Sequence, residues 1–108
     1  MDLISVIIPY YKKKQYIVSA INSVLRQTYR NLELIIIYDD MNLDDLIILK
    51  SIKKKDKRIK IYINKKSLGA GMSRNKGIKL SNGKLIAFLD SDDLWLRDKL
   101  KKQIFFMK

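Results

Sequence analysis

The 108-residue sequence contains no cysteine and no histidine, and it has one proline and four glycines. The missing cysteines exclude disulfide bonds and thiol nucleophiles, and the missing histidines exclude a serine–histidine–aspartate triad. Without either residue type the usual zinc sites are excluded, so a metal ion would have to be held by oxygen ligands. No apolar run approaches the ~20 residues that a membrane-spanning helix needs.

Positive charge dominates the composition, with 23 Lys and Arg against 11 Asp and Glu and a formal net charge of +12. This charge favours anionic partners, namely nucleic acid, phosphorylated ligands or an acidic membrane surface. A competing explanation is that genome bias and solubility account for much of the lysine. The start Met1-Asp2-Leu3 lacks the basic residues of a signal peptide, which predicts a cytoplasmic protein.

Apolar periodicity alternates between strand and helix along the chain. Four apolar runs predict strands at 3–8, 32–38, 58–63 and 84–89, and the third alternates charged and apolar residues as an edge strand does. Helices are predicted around Ile17–Leu25 and Leu46–Ile52, and over Gly69–Leu80 and Trp95–Lys108. This order, with long crossovers, predicts a single domain over 1–108 built as an α/β fold with an open, mainly parallel, doubly wound sheet.

Eight of the 11 acidic residues lie in two clusters that directly follow predicted strands: Asp39, Asp40, Asp44 and Asp45 after the second, and Asp90, Asp92, Asp93 and Asp98 after the fourth. In an open parallel sheet, ligands bind at the carboxyl ends of the strands, near the switch in strand order. Crowded carboxylates need a cation, a proton or hydrogen bonds, and Mg²⁺ or Mn²⁺ suits a pair of them together with phosphate oxygens. The alternative for the DSDD run is that it caps the following helix.

The segment 64–77 predicts a helix start that binds phosphate or a base. Gly69 and Gly71 allow a ligand to approach the backbone closely, and Arg74 lies about one turn further along. The alternative is that these glycines only let the helix pack closely on the sheet.

Other conspicuous residues have simpler interpretations beside the functional ones. Tyr10 and Tyr11 either stack on a base at the end of the first strand or are ordinary, partly buried tyrosines. The lysine runs at 12–14 and 53–55 are interpreted as solvated surface, and Trp95 as an anchor in the core.

Four stretches of the sequence, taken in their order along the chain, resemble the N-terminal half of a family 2 glycosyltransferase with the GT-A fold. The resemblance rests on SVIIPYY at 5–11, AINSVLRQTYRNLELIIIYDD at 20–40, NKKSLGAGMSRNKGI at 64–78 and FLDSDDLW at 88–95. The chain departs from the family at Met41-Asn42, where Gly-Ser is usual, and at Arg97, where proline is common.

The resemblance implies metal-assisted, inverting transfer of a sugar from a nucleotide-diphosphate sugar, with a UDP-sugar favoured, to a glycan or lipid-linked acceptor. It implies that Asp39 contacts the base, that Arg74 holds the base or the diphosphate, and that Asp90 lies near the ribose. The implied donor-binding residues are Pro9, Tyr10, Tyr11, Asp39, Asp40, Arg74, Asp90 and Ser91, and the implied ligands of Mn²⁺ or Mg²⁺ are Asp92 and Asp90. Because the family's general base and acceptor site lie in a second half, the chain is interpreted as the donor-binding portion of a longer enzyme.

Other functions remain as alternatives. A non-catalytic module would bind a nucleotide sugar without transferring it. A nucleic-acid binder would use the basic surface, but the lysine runs lack interleaved aromatic residues and the acidic rim would repel a phosphate backbone. A phosphoacceptor receiver domain would need an acidic pair where Pro9-Tyr10 stand. The basic surface also predicts peripheral association with the inner face of a membrane, and the apolar end at Phe105-Phe106 predicts self-association.

Overall fold

The computed structural model describes the backbone of residues 1–107 and the side chains of residues 1–103. Its elements are β1 (Ile4–Tyr10), α1 (Lys14–Leu25), β2 (Leu32–Tyr38), α2 (Leu46–Lys53), β3 (Ile59–Ile63), α3 (Gly69–Leu80), β4 (Leu85–Phe88) and α4 (Lys99–Met107). The predicted alternation of strands and helices is confirmed. The side chains of Phe105 and Phe106, on which the predicted self-association depends, lie outside the described residues.

The start of α4 differs from the prediction, which placed it at Trp95. The backbone before Lys99 is held by the turn that follows α1: the Gln27 side-chain amide donates to the carbonyl of Leu96 at 2.6 Å, and the Thr28 N–H donates to the carbonyl of Arg97 at 2.7 Å. The Leu96 carbonyl also accepts a hydrogen bond from the Lys99 N–H at 3.1 Å, and the regular helix begins only at Lys99, after this fastened segment. Trp95 itself is buried, which confirms its interpretation as a core anchor.

The four described strands form one parallel sheet in the order β3-β2-β1-β4. From β1 to β3 the chain moves in one direction across the sheet, and from β3 to β4 it crosses back over β2 and β1. Because parallel crossovers are right-handed, this reversal places α3 on the face opposite to α1 and α2. The sheet is therefore doubly wound as predicted, and β3 is an edge strand.

The core has a larger and a smaller half, one on each face of the sheet. The larger half joins α1, α2 and Trp95 to the side chains of β1 and β2 that face them, including Val6 and Ile36. The smaller half lies under α3 and consists of Ile7, Ile35 and Ile37 with Tyr62 and Leu80. No helix within the described residues is long and apolar enough to cross a bilayer.

A buried polar cluster fastens the loop after α3 to the sheet. The Glu33 carboxylate accepts hydrogen bonds from the Ser5 hydroxyl at 2.5 Å, the Asn82 N–H at 2.6 Å and the Lys60 ammonium at 2.7 Å. The Gly83 N–H donates to the Ser5 hydroxyl at 2.7 Å. Burial alone would raise the pKa of Glu33, but the hydrogen bonds from Lys60, Ser5 and Asn82 outweigh it and lower the pKa to about 2.

Candidate functional site

The carboxyl ends of β1, β2 and β4 lie along one rim of the sheet, because the strands are parallel and in register. Asp39 and Asp40 directly follow β2, and Asp90, Asp92 and Asp93 follow β4, so these residues of the two acidic clusters lie on this rim. The order β3-β2-β1-β4 places the switch in strand order between β1 and β4. A ligand is expected in the crevice at that switch, between the loop after β1 and the loop after β4.

Asp39 holds the start of α3. Its buried carboxylate accepts hydrogen bonds through Oδ1 from the Leu68 N–H at 2.8 Å and the Asn64 side-chain amide at 2.9 Å, and through Oδ2 from the Gly69 N–H at 2.9 Å. A carboxylate at this position satisfies N–H groups that a helix leaves free at its first turn and complements the helix dipole. Asp39 thus lies on the predicted rim, but both of its oxygens are engaged with this chain. Contact with a base stays a prediction.

Asn64 is a site residue that sequence reasoning missed. It is buried directly after β3, and its amide donates to Asp39 and, at 3.1 Å, to the Ser73 hydroxyl, while its Oδ1 accepts from the Lys76 ammonium at 2.8 Å. The residue thereby connects the ends of β2 and β3 to α3. The signal that could have found it is its position, since a polar residue that ends a strand lies on the same rim as Asp39.

Two ion pairs join the loop after β4 to the rest of the rim. Arg74 of α3 contacts Asp90 with 3.1 Å between Nη2 and Oδ1, and Lys13 before α1 contacts Asp92 with 3.5 Å between Nζ and Oδ2. The four side chains are 37–63% exposed, so a ligand can reach them. The sequence predicts solvated surface for the lysine run at 12–14, whereas the structure places Lys13 beside the acidic cluster.

A left-handed residue brings Lys13 to the rim. Lys12 has a φ of 49°, a conformation that residues other than glycine, asparagine and aspartate seldom adopt. Strained backbone of this kind is commonly found at functional sites. Here it reverses the chain between the end of β1 and α1.

The tyrosines after Pro9 have different environments. Tyr10 is fully buried on the α1 face, stacks on Tyr38 with ring centroids 5.2 Å apart, and donates its hydroxyl to Asp45 at 2.6 Å. Burial, followed by the hydrogen bond and charge of Asp45, raises the pKa of Tyr10 above its usual range. Its ring is therefore closed to a base, while Tyr11 is half-exposed and has the Lys12 ammonium 5.1 Å from the centroid of its ring.

The remaining predicted binding residues shape the loops. Asp40 is buried and accepts a hydrogen bond from the Asn42 N–H at 3.0 Å, which fixes the turn after Asp39. Ser91 is buried between the exposed Asp90 and Asp92. Pro9 is partly buried near the end of β1. The structure therefore brings the predicted residues to one rim, although several of them, such as Asp40, form hydrogen bonds that hold the loops in place.

The acidic residues of the rim fit a metal ion that is shared with a phosphate ligand. Among the side chains of residues 1–103, no three acidic groups converge as in an all-protein metal cage. Asp90 and Asp92 are exposed and lie on one turn, and Mg²⁺ is commonly held by one or two carboxylates together with substrate phosphates. These two carboxylates are therefore suited to holding Mg²⁺ or Mn²⁺ together with a diphosphate.

Comparisons with known sequences identify the family. The family described as "Glycosyl transferase family 2" matches residues 5–108. An uncharacterized glycosyltransferase of Rickettsia conorii is 53% identical over 105 residues, which are 97% of this chain and 17% of the relative. The UDP-Glc:alpha-D-GlcNAc-diphosphoundecaprenol beta-1,3-glucosyltransferase WfgD of Escherichia coli is 43% identical over 97% of this chain and 41% of its own length. The chain thus spans less than half the length of these relatives.

Solved structures show the same fold. TarS of S. aureus in complex with UDP-GlcNAc superposes with a TM-score of 0.86 at 28% identity, over 96% of this chain and 30% of that one. A mannosyltransferase of Pyrobaculum calidifontis, in complex with GDP-Man and Mn²⁺, reaches a TM-score of 0.86 at 18% identity, over 94% of this chain and 31% of that one. The GT-A type of α/β fold is confirmed.

Proposed function

This chain belongs to glycosyl transferase family 2, and from that premise we propose that it binds the nucleotide-sugar donor of a sugar-transfer reaction. The observation that carries the proposal is the pairing of Arg74 with Asp90 and of Lys13 with Asp92 at the switch point of the sheet. Two exposed cations and two exposed carboxylates at that crevice suit a diphosphate and a divalent ion that arrive together. A UDP-sugar is favoured because TarS was solved in complex with UDP-GlcNAc and the E. coli relative is named for UDP-Glc.

Different residues of the rim contact different parts of the donor. Arg74, with its forked donors, and Lys13 hold the diphosphate, which replaces the carboxylates as their anionic partner. Tyr11 and Pro9 line the base, and Asp39 keeps the start of α3 in place beside it. Asp90 lies by the ribose and, with Asp92, holds Mn²⁺ or Mg²⁺. When bound, that ion supplies charge stabilisation for the leaving nucleoside diphosphate.

The complete reaction needs more than this rim. We assign residues 1–108 to donor binding, and we place the general base and the acceptor site elsewhere in a longer protein. There, a carboxylate would remove the proton of an acceptor hydroxyl while the sugar is transferred with inversion. A glycan or lipid-linked acceptor is proposed because the E. coli relative is named for GlcNAc-diphosphoundecaprenol. This acceptor accords with a cytoplasmic location at the inner face of a membrane.

Calorimetric titration tests donor binding directly. The chain is titrated with UDP, UDP-glucose, GDP and dTDP, each with Mn²⁺ and with a chelator. We expect one nucleotide to bind in the presence of Mn²⁺, and Asp92→Asn to weaken that binding by at least about tenfold, as loss of groups around a metal typically does. Asp98→Asn is the matched control, because Asp98 is an exposed carboxylate that pairs with Lys102 instead of lying on the rim turn.

Three outcomes would contradict the proposal or restrict it. Equal nucleotide binding with chelator and with Mn²⁺ would exclude a role of the metal ion in donor binding. Equal nucleotide affinity of Asp92→Asn and Asp98→Asn would show that the Asp92 carboxylate takes no part in donor binding. Donor binding by a protein of the relatives' full length, without transfer or donor hydrolysis, would favour the non-catalytic binding module.

A further inference from the structure

The segment from 57 to 89, which contains β3, α3 and β4, has nine Lys and Arg and no Asp or Glu. Three of these cations pair with carboxylates from other parts of the chain: Arg58 with Asp56, Lys60 with Glu33 and Arg74 with Asp90. Within the described side chains, the exposed Lys65, Lys66, Lys79 and Lys84 have no such partner. The layer formed by α3 is therefore strongly positive although the acidic rim lies beside it.

The helix α3 also has apolar side chains on its outer surface. Its inner side is made of small residues, Ser73 and Gly77, which let it pack closely on the sheet. The larger Met72 and Ile78 lie on the outer side, 57% and 41% exposed. Together with Leu68, Asn75 and Lys79 they line a groove along the outside of the helix. We define the α3 face as Lys65, Lys66, Met72, Ile78 and Lys79.

We propose that the α3 face is the surface by which this protein docks on an anionic lipid bilayer. Apolar side chains flanked by lysines, on a helix that lies flat, suit the boundary between headgroups and acyl chains. Met72 and Ile78 enter that boundary, and the lysines contact the anionic headgroups. A single-stranded nucleic acid would instead need aromatic side chains for base stacking, and the α3 face contains none.

The position of the α3 face fits this role. Asp39 holds the first turn of α3 at the donor rim, and Lys65 and Lys66 lie in the loop that precedes this turn. Docking through α3 would therefore keep the rim close to the membrane. The choice of a bilayer as the anionic partner rests on the proposed function, because a lipid-linked acceptor is presented at a membrane surface.

Vesicle sedimentation tests the α3 face. The chain is mixed at low salt with vesicles of phosphatidylcholine, with or without phosphatidylglycerol, and we expect binding only to the anionic vesicles. Each lysine close to the surface contributes about fivefold in affinity, so Lys66→Gln with Lys79→Gln should lower binding by about 25-fold. Met72→Ser with Ile78→Ser should lower it by at least about tenfold at unchanged charge.

The control removes the same charge from another surface. Lys53→Gln with Lys54→Gln, at the exposed end of α2, should change binding by less than about threefold. An equal loss in this control would show that binding follows net charge, and a neutral effect of the Met72 and Ile78 variant would exclude insertion; either result overturns the proposal. Circular dichroism checks that each variant is folded.

UDP titration of the same variants separates this proposal from the proposed function. We expect unchanged UDP affinity in the α3-face variants. If the parent chain binds anionic vesicles but no nucleotide, the donor-site proposal fails while the α3 face stands. If it binds nucleotide but no anionic vesicles, only the α3 face fails.

Discussion

Replacing Asp39 with asparagine tests whether this residue serves the fold as well as a ligand. The carboxylate accepts three hydrogen bonds, two from the backbone N–H groups of Leu68 and Gly69 and one from Asn64. In the best arrangement of the variant, the amide oxygen keeps the two bonds made by Oδ1. The amide nitrogen then faces the Gly69 N–H, so that two donors meet.

The magnitude follows from these contacts. A hydrogen bond to a charged group contributes about 1.5–3 kcal/mol, and a negative charge at a helix N-terminus adds about 0.3–1 kcal/mol. We therefore expect Asp39→Asn to lower the free energy of unfolding by about 2–4 kcal/mol in the absence of any nucleotide. If Asp39 served only to contact a base, the ligand-free variant would be nearly as stable as the parent.

Urea unfolding measures this difference. Far-UV circular dichroism follows the whole fold, and the fluorescence of the single tryptophan, the buried Trp95, follows the core. Asp44→Asn is the matched control, because Asp44 is an exposed carboxylate of the same acidic cluster and should change stability by less than about 0.5 kcal/mol. A loss for Asp39→Asn no larger than that of the control would refute the assignment of Asp39 as the anchor of α3.

Two further predictions concern the stability of the fold, one at Glu33 and one at Gly83 and Gly71. The lowered pKa of Glu33, about 2 instead of 4.5, corresponds to about 3 kcal/mol of stability that is present above pH 4.5 and is lost as the pH falls towards 2. Urea unfolding across this pH range should therefore show that Glu33→Gln has a lower free energy of unfolding than the parent at neutral pH, and that its stability depends less on pH. An unchanged pH dependence would contradict the lowered pKa of Glu33. Gly83→Ala should destabilise the fold by at least about 2 kcal/mol, since its Cβ would lie 2.5 Å from the backbone nitrogen of Ser5, whereas Gly71→Ala, with no atom within 4 Å, should stabilise α3 by about 0.5–1 kcal/mol. Thermal unfolding compares the two alanine variants, and a destabilising Gly71→Ala would contradict the helix-propensity argument.

The fold could be predicted because its signals are local. Runs such as LELIIIY are short, rich in β-branched residues and end abruptly at acidic residues, so each strand can be recognised by itself. The start of α4 could not be predicted, because it depends on hydrogen bonds from Gln27 and Thr28, about 70 positions earlier in the chain. Helix propensity alone carries no information about such a long-range contact.

The site was partly predictable for a similar reason. The acidic clusters lie where strand ends place them, but the pairing of Lys13 with Asp92 joins distant parts of the sequence, and it depends on the left-handed Lys12. The environment of Tyr10 follows from a simple rule that decides between its two interpretations. Side chains alternate along β1, so Tyr10 shares the face of Ile8, which is buried under α1.

The strand order has a consequence for how the site forms during folding. β1 and β2 are neighbours both in the sheet and along the chain, whereas β4 pairs with β1 across about 80 positions. Closing so long a loop is slow and becomes favourable only when the partner strand is already in place. We therefore expect β1, β2 and β3 to assemble first and β4 to dock last. Asp90 and Asp92 follow β4, so a chain emerging from the ribosome would bring these carboxylates to the rim only when β4 docks.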